Sequence, residues 1–222
     1  MKLTWLGHSC FAVESGGYRV VLDPYYVESY PPLHTSANEV LCSHHHRDHD
    51  FMEAVELTPR GDSPFTVQTV ETFHDDKGGT LRGTNTVHIL AAEGLRVVHL
   101  GDLGHELSGE QLAPLRGCDA LLIPVGGFYT IDAETARRVA DAIAPRGIVP
   151  LHYRAPCATP PSSTARRCCP LSWKRRRKRS GSKIEKRKRR GDPFASFFLY
   201  LLCQPMNLGI HILAAEGLRV VH

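Results

Sequence analysis

The sequence predicts an α/β protein with its sheet on the inside. Short β-branched or aromatic runs divided by glycine turns open the chain, and a continuous apolar run at residues 120–125 reads as a strand covered on both faces. Residues 133–142 then repeat with helical periodicity behind Asp132, a plausible cap. In order, residues 3–6, 10–14 and 18–22 look like antiparallel strands, separated by turns such as Ser15-Gly16-Gly17. Residues 40–43 are another short apolar run, and it ends in a histidine cluster. Residues 66–72 and 86–91 alternate as strands do, while 95–100 follow a Glu93-Gly94 turn and run into Gly101-Asp102. Residues 147–151 form a last strand that enters His152. Strands interleaved with helices argue for a sheet with helical cover.

A hydrophobic share of 42% and a charged share of 23% in 222 residues are those of a globular chain with room for a core. The net charge of +4 averages two unlike parts. Up to Arg154 there are 12 Lys and Arg against 20 Asp and Glu; from Ala155 onward there are 15 against 3. An asymmetry this sharp asks for the two parts to be read separately. Cys10, Cys42 and Cys118 each lie in an apolar run and read as small buried hydrophobes. Cys157, Cys168, Cys169 and Cys203 lack zinc-finger spacing, and nothing points to an oxidising compartment. The N-terminus is too polar for a signal peptide, and the apolar stretch 194–203 is about half of the ~20 residues that span a bilayer. The expectation is a cytoplasmic protein without membrane contact, of unknown oligomeric state.

The chemistry begins at His44-His45-His46-Arg47-Asp48-His49, an H-x-H-x-D-H cluster directly after a strand. Imidazole and carboxylate are the usual ligands of zinc and similar ions. Alternate residues His44 and His46 can point the same way, while Asp48 and His49 serve a neighbouring ion. A dinuclear site further needs a histidine for the first ion, a carboxylate between the ions and a histidine for the second. His74, Asp102 and His152, each at or near the end of a strand, supply them. A lone histidine would read as a surface group; so many ligand types at strand ends do not. Asp23 and Asp75 are expected to orient metal-bound histidines, with a turn before Pro24 as the other reading of Asp23. His8 is placed to reach a substrate. His45, His105, Arg82 and the Gly126-Gly127 loop are further candidates.

The chain resembles the metallo-β-lactamase superfamily, in particular the small bacterial metal-dependent hydrolases related to L-ascorbate-6-phosphate lactonase. The matching phrases are Leu6-Gly7-His8-Ser9-Cys10-Phe11, Leu22-Asp23-Pro24, the histidine cluster and Phe73-His74-Asp75. They continue through His99-Leu100-Gly101-Asp102-Leu103-Gly104-His105, Pro124-Val125-Gly126-Gly127-Phe128-Tyr129-Thr130 and Pro150-Leu151-His152-Tyr153. The resemblance implies an αββα sandwich with its metals at one edge, here with the C-terminal part incomplete or replaced. It implies that His44, His46 and His74 hold one divalent ion and Asp48, His49 and His152 the other, with Asp102 bridging. Zinc is the default, and manganese or iron also suit such a site. Two such ions lower the pKa of a shared water and polarise the scissile oxygen. Asp48 and His8 are the expected catalytic residues, and the substrate is a small lactone, ester or phosphoester.

After Arg154 the composition changes. A Pro/Ser/Thr-rich stretch leads into Lys- and Arg-rich runs at 174–179 and 183–190, and residues 211–222 repeat residues 88–99 without change. The expectation is a hydrolase domain over 1–154 and a basic low-complexity tail over 155–222, disordered or arising from a frameshift or chimeric join. The competing readings are a nucleic-acid-binding or nucleolytic metalloprotein that uses this tail, and an inactive truncated hydrolase. Nucleic acid is disfavoured except through the tail, because the core is acidic and the tail lacks interleaved aromatics.

Overall fold

Three hairpin-linked strands start the chain, and their alternation decides which side chains meet. The computed structural model describes residues 1–153 and 219–221. Strands β1 (Lys2–Gly7), β2 (Cys10–Ser15) and β3 (Tyr18–Leu22) pair antiparallel, and β5 (Glu39–Leu41) adds in parallel to β3. Two three-residue strands, β4 (Thr35–Ala37) and β6 (Val55–Leu57), pair separately, with a 3-10 turn at Met52–Ala54 before β6. The second sheet runs β7 (Thr66–Phe73), β8 (Thr84–Ala92), β9 (Leu95–His99), β10 (Ala120–Pro124) and β11 (Ile148–Leu151). The first two pairings are antiparallel and the last two parallel.

The two sheets meet through one apolar layer. Leu3, Phe11, Val13, Val20 and Leu22 of the first sheet cluster with Leu90, Val97, Ala120, Leu122 and Leu151 of the second. Because side chains alternate along a strand, Cys10, Ala12 and Val21 face the other way, into a second cluster with Tyr25, Leu33, Ala37 and Ala54. Strand β2 is therefore buried on both faces. By the same alternation Leu121 and Ile123, also fully buried, face the helix that packs on β10.

That helix, α2 (Ala133–Ile143), buries Ala136, Val139, Ala140 and Ile143, the i, i+3, i+4, i+7 stripe its sequence repeat predicts. The Asp132 side chain accepts from Thr135 N–H at 2.8 Å, and Ala144 closes the helix at φ 52°. Helix α1 (Gly109–Leu112), with a Ser108/Gln111 capping box, is too short to leave a periodic trace in the sequence. Strand β5 ends at Leu41 rather than at Ser43, because Ser43 N–H leaves the ladder for the Asp23 carboxylate at 2.7 Å. Cys10 and Cys118 are buried and Cys42 half-buried, all three unpaired. Burial, with smaller contributions from neighbouring charges, raises all three thiol pKa values, that of Cys118 to about 12, which keeps them protonated and inert.

Of the segment repeated at the C-terminus, Arg219–Val221 form β12, parallel to β1 at the edge of the first sheet with Lys2 opposite Arg219. The expectations for residues 155–210, including disorder and the basic runs, fall outside the described residues. Among the described residues no helix is long and apolar enough to cross a membrane.

Candidate metal centre

The ends of five strands converge at one edge of the sandwich. His8 follows β1, the histidine cluster follows β5, His74 follows β7, Asp102 follows β9 and His152 follows β11. His8 and His152 leave their strands at φ 48° and 52°, a left-handed turn that an L-residue adopts at a cost of order 1–3 kcal/mol. At both, the turn comes directly after a strand and swings an imidazole into the cluster.

Donor atoms of His44, His46 and His74 lie within 4.8 Å of one another, as do those of His8, Asp48, His49 and His152. Asp102 joins the two groups: its Oδ2 is 3.3 Å from His74 Nε2, 3.2 Å from His49 Nε2 and 3.1 Å from His152 Nε2. All seven expected ligands therefore meet in one cluster, and His8 joins it. Four buried atoms in the cluster, His44 Nε2, His49 Nε2, His74 Nδ1 and Asp102 Oδ1, have no hydrogen-bond partner among the described residues. A buried polar atom left in this way costs about 1–3 kcal/mol. Four together, on imidazoles and a carboxylate, are a donor set that fits divalent cations.

The supporting hydrogen bonds fix which nitrogens carry lone pairs. Ser43 donates its hydroxyl hydrogen to Asp23 Oδ2 at 2.7 Å, so the 2.9 Å contact from His44 Nδ1 to Ser43 Oγ must be a donation by the imidazole. His49 Nδ1–H donates to the same Asp23 Oδ2 at 2.8 Å. Both rings thus keep one proton on Nδ1 and direct Nε2 at the cluster, the nitrogen whose lone pair a cation requires. Asp23 is completely buried. Burial pushes its carboxyl pKa up, but the His99 and His49 imidazoles and the bonds from His49 and Ser43 outweigh it and hold the group at about 2. Asp23 therefore orients histidines, as one of its two readings had it.

Burial pushes His44 down to about 3, so that ring is neutral at any ordinary pH. Burial likewise lowers His74 and His8. His49 runs the other way: burial opposes its charge, but the carboxylates of Asp102 and Asp23 on either side raise its pKa well above the usual imidazole value. Burial raises Asp102 and Asp48 too, and in both the neighbouring imidazoles prevail and hold the carboxyl ionised.

Several expected residues lie elsewhere. The Asp75 carboxylate touches no imidazole; it accepts backbone N–H groups of Lys77, Gly79, Leu81 and Arg82 at 2.8–2.9 Å and so shapes the loop after His74. It is a loop organiser, which corrects its expected role. His45 is exposed and pairs with Asp50 at 2.7 Å. His105 takes a hydrogen bond from Phe73 N–H, away from the cluster. Gly126 packs directly on His152, where an added Cβ would sit 2.5 Å from the His152 carbonyl oxygen.

Sequence reasoning missed Asn85, Ser43, Thr72 and His99. Asn85 is fully buried; its Oδ1 accepts Asp102 N–H at 2.9 Å and its Nδ2 donates to Leu100 O and Thr72 Oγ1. Gly101 stands between, where a Cβ would strike Asn85 Oδ1 and Ser43, so the turn that delivers Asp102 is open to glycine alone. His99 donates from Nε2 to Ser9 O at 2.9 Å and accepts Gly101 N–H at 3.2 Å. His99 closes the repeated segment 88–99, and nothing local to that segment points to these contacts.

Two face-to-face sheets gather histidines and aspartates at their strand ends, a candidate centre for divalent ions. Residues 2–152 match the family model of the beta-lactamase superfamily domain, and the chain belongs to that superfamily, in its metallo-β-lactamase branch. It is 27% identical over 194 residues to a metal-dependent hydrolase of Archaeoglobus fulgidus, covering 69% of this chain and 83% of that one. A metal-dependent hydrolase of Carboxydothermus hydrogenoformans is 26% identical over 192 residues, covering 69% and 84%. Among solved structures, a protein from Thermotoga maritima described as a zinc-dependent hydrolase of the metallo-β-lactamase superfamily is 36% identical. It superposes with a TM-score of 0.54 over 69% of this chain and 76% of that one.

Proposed function

We propose that the chain hydrolyses a small lactone, ester or phosphoester with two divalent ions, zinc by default and manganese or iron as alternatives. His44, His46 and His74 would hold one ion and Asp48, His49 and His152 the other, with Asp102 between them. The observation that carries the reading is Asp102 Oδ2 lying 3.1–3.3 Å from one imidazole of the first group and two of the second. The unpartnered buried donors support it.

When bound, such ions lower the pKa of water and polarise a carbonyl or phosphoryl oxygen. The chain's own residues then divide the work. Asp23 and Ser43 hold His49 and His44 in the tautomers that leave Nε2 free. Asp48, with its side chain 38% exposed, stands at the open side of the cluster and is the residue that accepts the proton of the attacking water. His8 lies 3.4 Å from Asp48 Oδ2, with its ring 4.6 Å from that of His152, and steadies the carboxylate where substrate arrives. Trp5 Nε1–H holds the His8 carbonyl at 3.0 Å, fixing the turn that presents the ring.

Elemental analysis of protein purified without added metal tests the reading. Close to two divalent ions per chain are expected. His46→Ala should empty one position and abolish ester hydrolysis; full metal content and activity in that variant would overturn the ligand assignment.

A further inference from the structure

Two loops meet through Arg82 and Tyr129, each rooted against a histidine of the candidate metal centre. The first follows His74 and is wound around the Asp75 carboxylate by four backbone bonds. It returns to the site where Gly83 O accepts His74 N–H at 3.0 Å. Arg82 stands one residue before that anchor. The second loop, residues 125–131, presses Gly126 against His152 and is tied down by Gly127 N–H to Ile131 O and Ile131 N–H to Leu103 O. It raises Phe128 and Tyr129, which are 75% and 53% exposed and pack edge to face at 4.6 Å.

The loops touch where the Arg82 guanidinium lies over the Tyr129 ring, 5.5 Å from its centroid. Among the described residues this guanidinium has no carboxylate or hydrogen-bond partner. An arginine stacked on an aromatic face loses some of its water and keeps its N–H fork free for a planar or tetrahedral anion. Two exposed aromatic rings beside it offer a rigid apolar surface. Here they sit on a loop tied down at its base by two backbone hydrogen bonds.

We infer that Arg82, Tyr129 and Phe128 form the substrate-recognition rim of the centre. Arg82 binds a carboxylate or phosphate carried by the substrate, and the two rings cover its apolar part. The substrate class narrows to small anionic esters, lactones or phosphoesters. The inference rests on the hydrolase reading only for the direction in which the scissile bond points; the rim itself binds anions with or without turnover.

Isothermal titration of the metal-loaded full chain with phenyl phosphate, phenylacetate and neutral phenylacetamide tests it. Arg82→Gln should weaken binding of the preferred anion about ten- to hundredfold, the usual range for losing a hydrogen-bonded charge. The same variant should leave phenylacetamide unchanged, and Phe128→Ala should weaken all three probes. Whichever anion binds tighter to the unaltered chain identifies the group the substrate carries. Arg82→Lys, which keeps the charge and loses the fork, should fall between. Unchanged metal content in each variant separates lost recognition from lost folding. The rim is refuted if Arg82→Gln binds both anions as well as the unaltered chain does, or if that chain binds neither. In His46→Ala the Arg82 dependence should persist while hydrolysis is lost, so failure of the hydrolase reading is distinguishable from failure of the rim.

Discussion

Replacing Asp23 by asparagine should uncouple the support of the metal centre from its ligands. The carboxylate accepts three hydrogen bonds, from Ser43 N–H, Ser43 Oγ–H and His49 Nδ1–H, at 2.7, 2.7 and 2.8 Å. Asparagine keeps the first through its carbonyl oxygen. Its NH2 then occupies the place of Oδ2 and faces two donors. His49 can satisfy it only by moving its proton to Nε2, which turns an N–H toward Asp102 and closes the nitrogen to a cation. Loss of a bond that orients a ligand typically weakens metal binding about 10–100-fold. The fold loses stability as well. A folded-state pKa of about 2 against an ordinary 3.8 corresponds to roughly 2 kcal/mol at neutral pH. Because the folded pKa is depressed, this contribution is complete above about pH 4 and disappears as pH falls toward 2. Chelator competition should therefore report a metal affinity one to two orders of magnitude lower in the variant, as stated. Thermal unfolding of the metal-free chains should show a gap between wild type and variant that narrows on acidification through pH 4 to 2. Metal affinity within twofold of wild type, or a gap independent of pH, would refute the tautomer argument.

Metal affinity of the unaltered chain should fall as pH drops from 7 to 5. His49 is protonated in the metal-free chain, because its pKa is raised, and a cation must expel that proton; His44, pushed to about 3, has none to give up. One proton released corresponds to about tenfold in affinity per pH unit, and a flat profile measured by chelator competition would argue against histidine ligation. Gly126→Ala should displace His152, since the added Cβ would lie 2.5 Å from its carbonyl oxygen and 3.2 Å from Nδ1. Overpacking of this kind costs about 1–3 kcal/mol, and the metal content should drop toward one ion per chain. Two ions and unchanged hydrolysis would show that the loop yields instead.

The seven candidate ligands could be nominated from the sequence because each adjoins the end of a strand whose pattern is local. His44, His46, Asp48 and His49 share one loop after β5, and His74, Asp102 and His152 each follow an apolar run, so alternation and spacing suffice to nominate them. Strands β1–β3, β5 and β7–β11 and helix α2 were legible for the same reason; β4 and β6, which lack the apolar continuation that marks the equally short β5, and the four-residue helix α1 were not. What the tertiary structure alone decided is the network that readies those ligands. Asp23 and His49 are 26 positions apart, Asn85 and Asp102 are 17 apart, and His8 and Asp48 are 40 apart. Asp75 illustrates the limit: a carboxylate beside a ligand histidine suggests an orienter, yet its four acceptor bonds go to the backbone of its own loop. The physical reason is that a hydrogen bond depends on direction as well as on partner type. Strand register and turn conformation set those directions, and neither is written in the identity of a single residue.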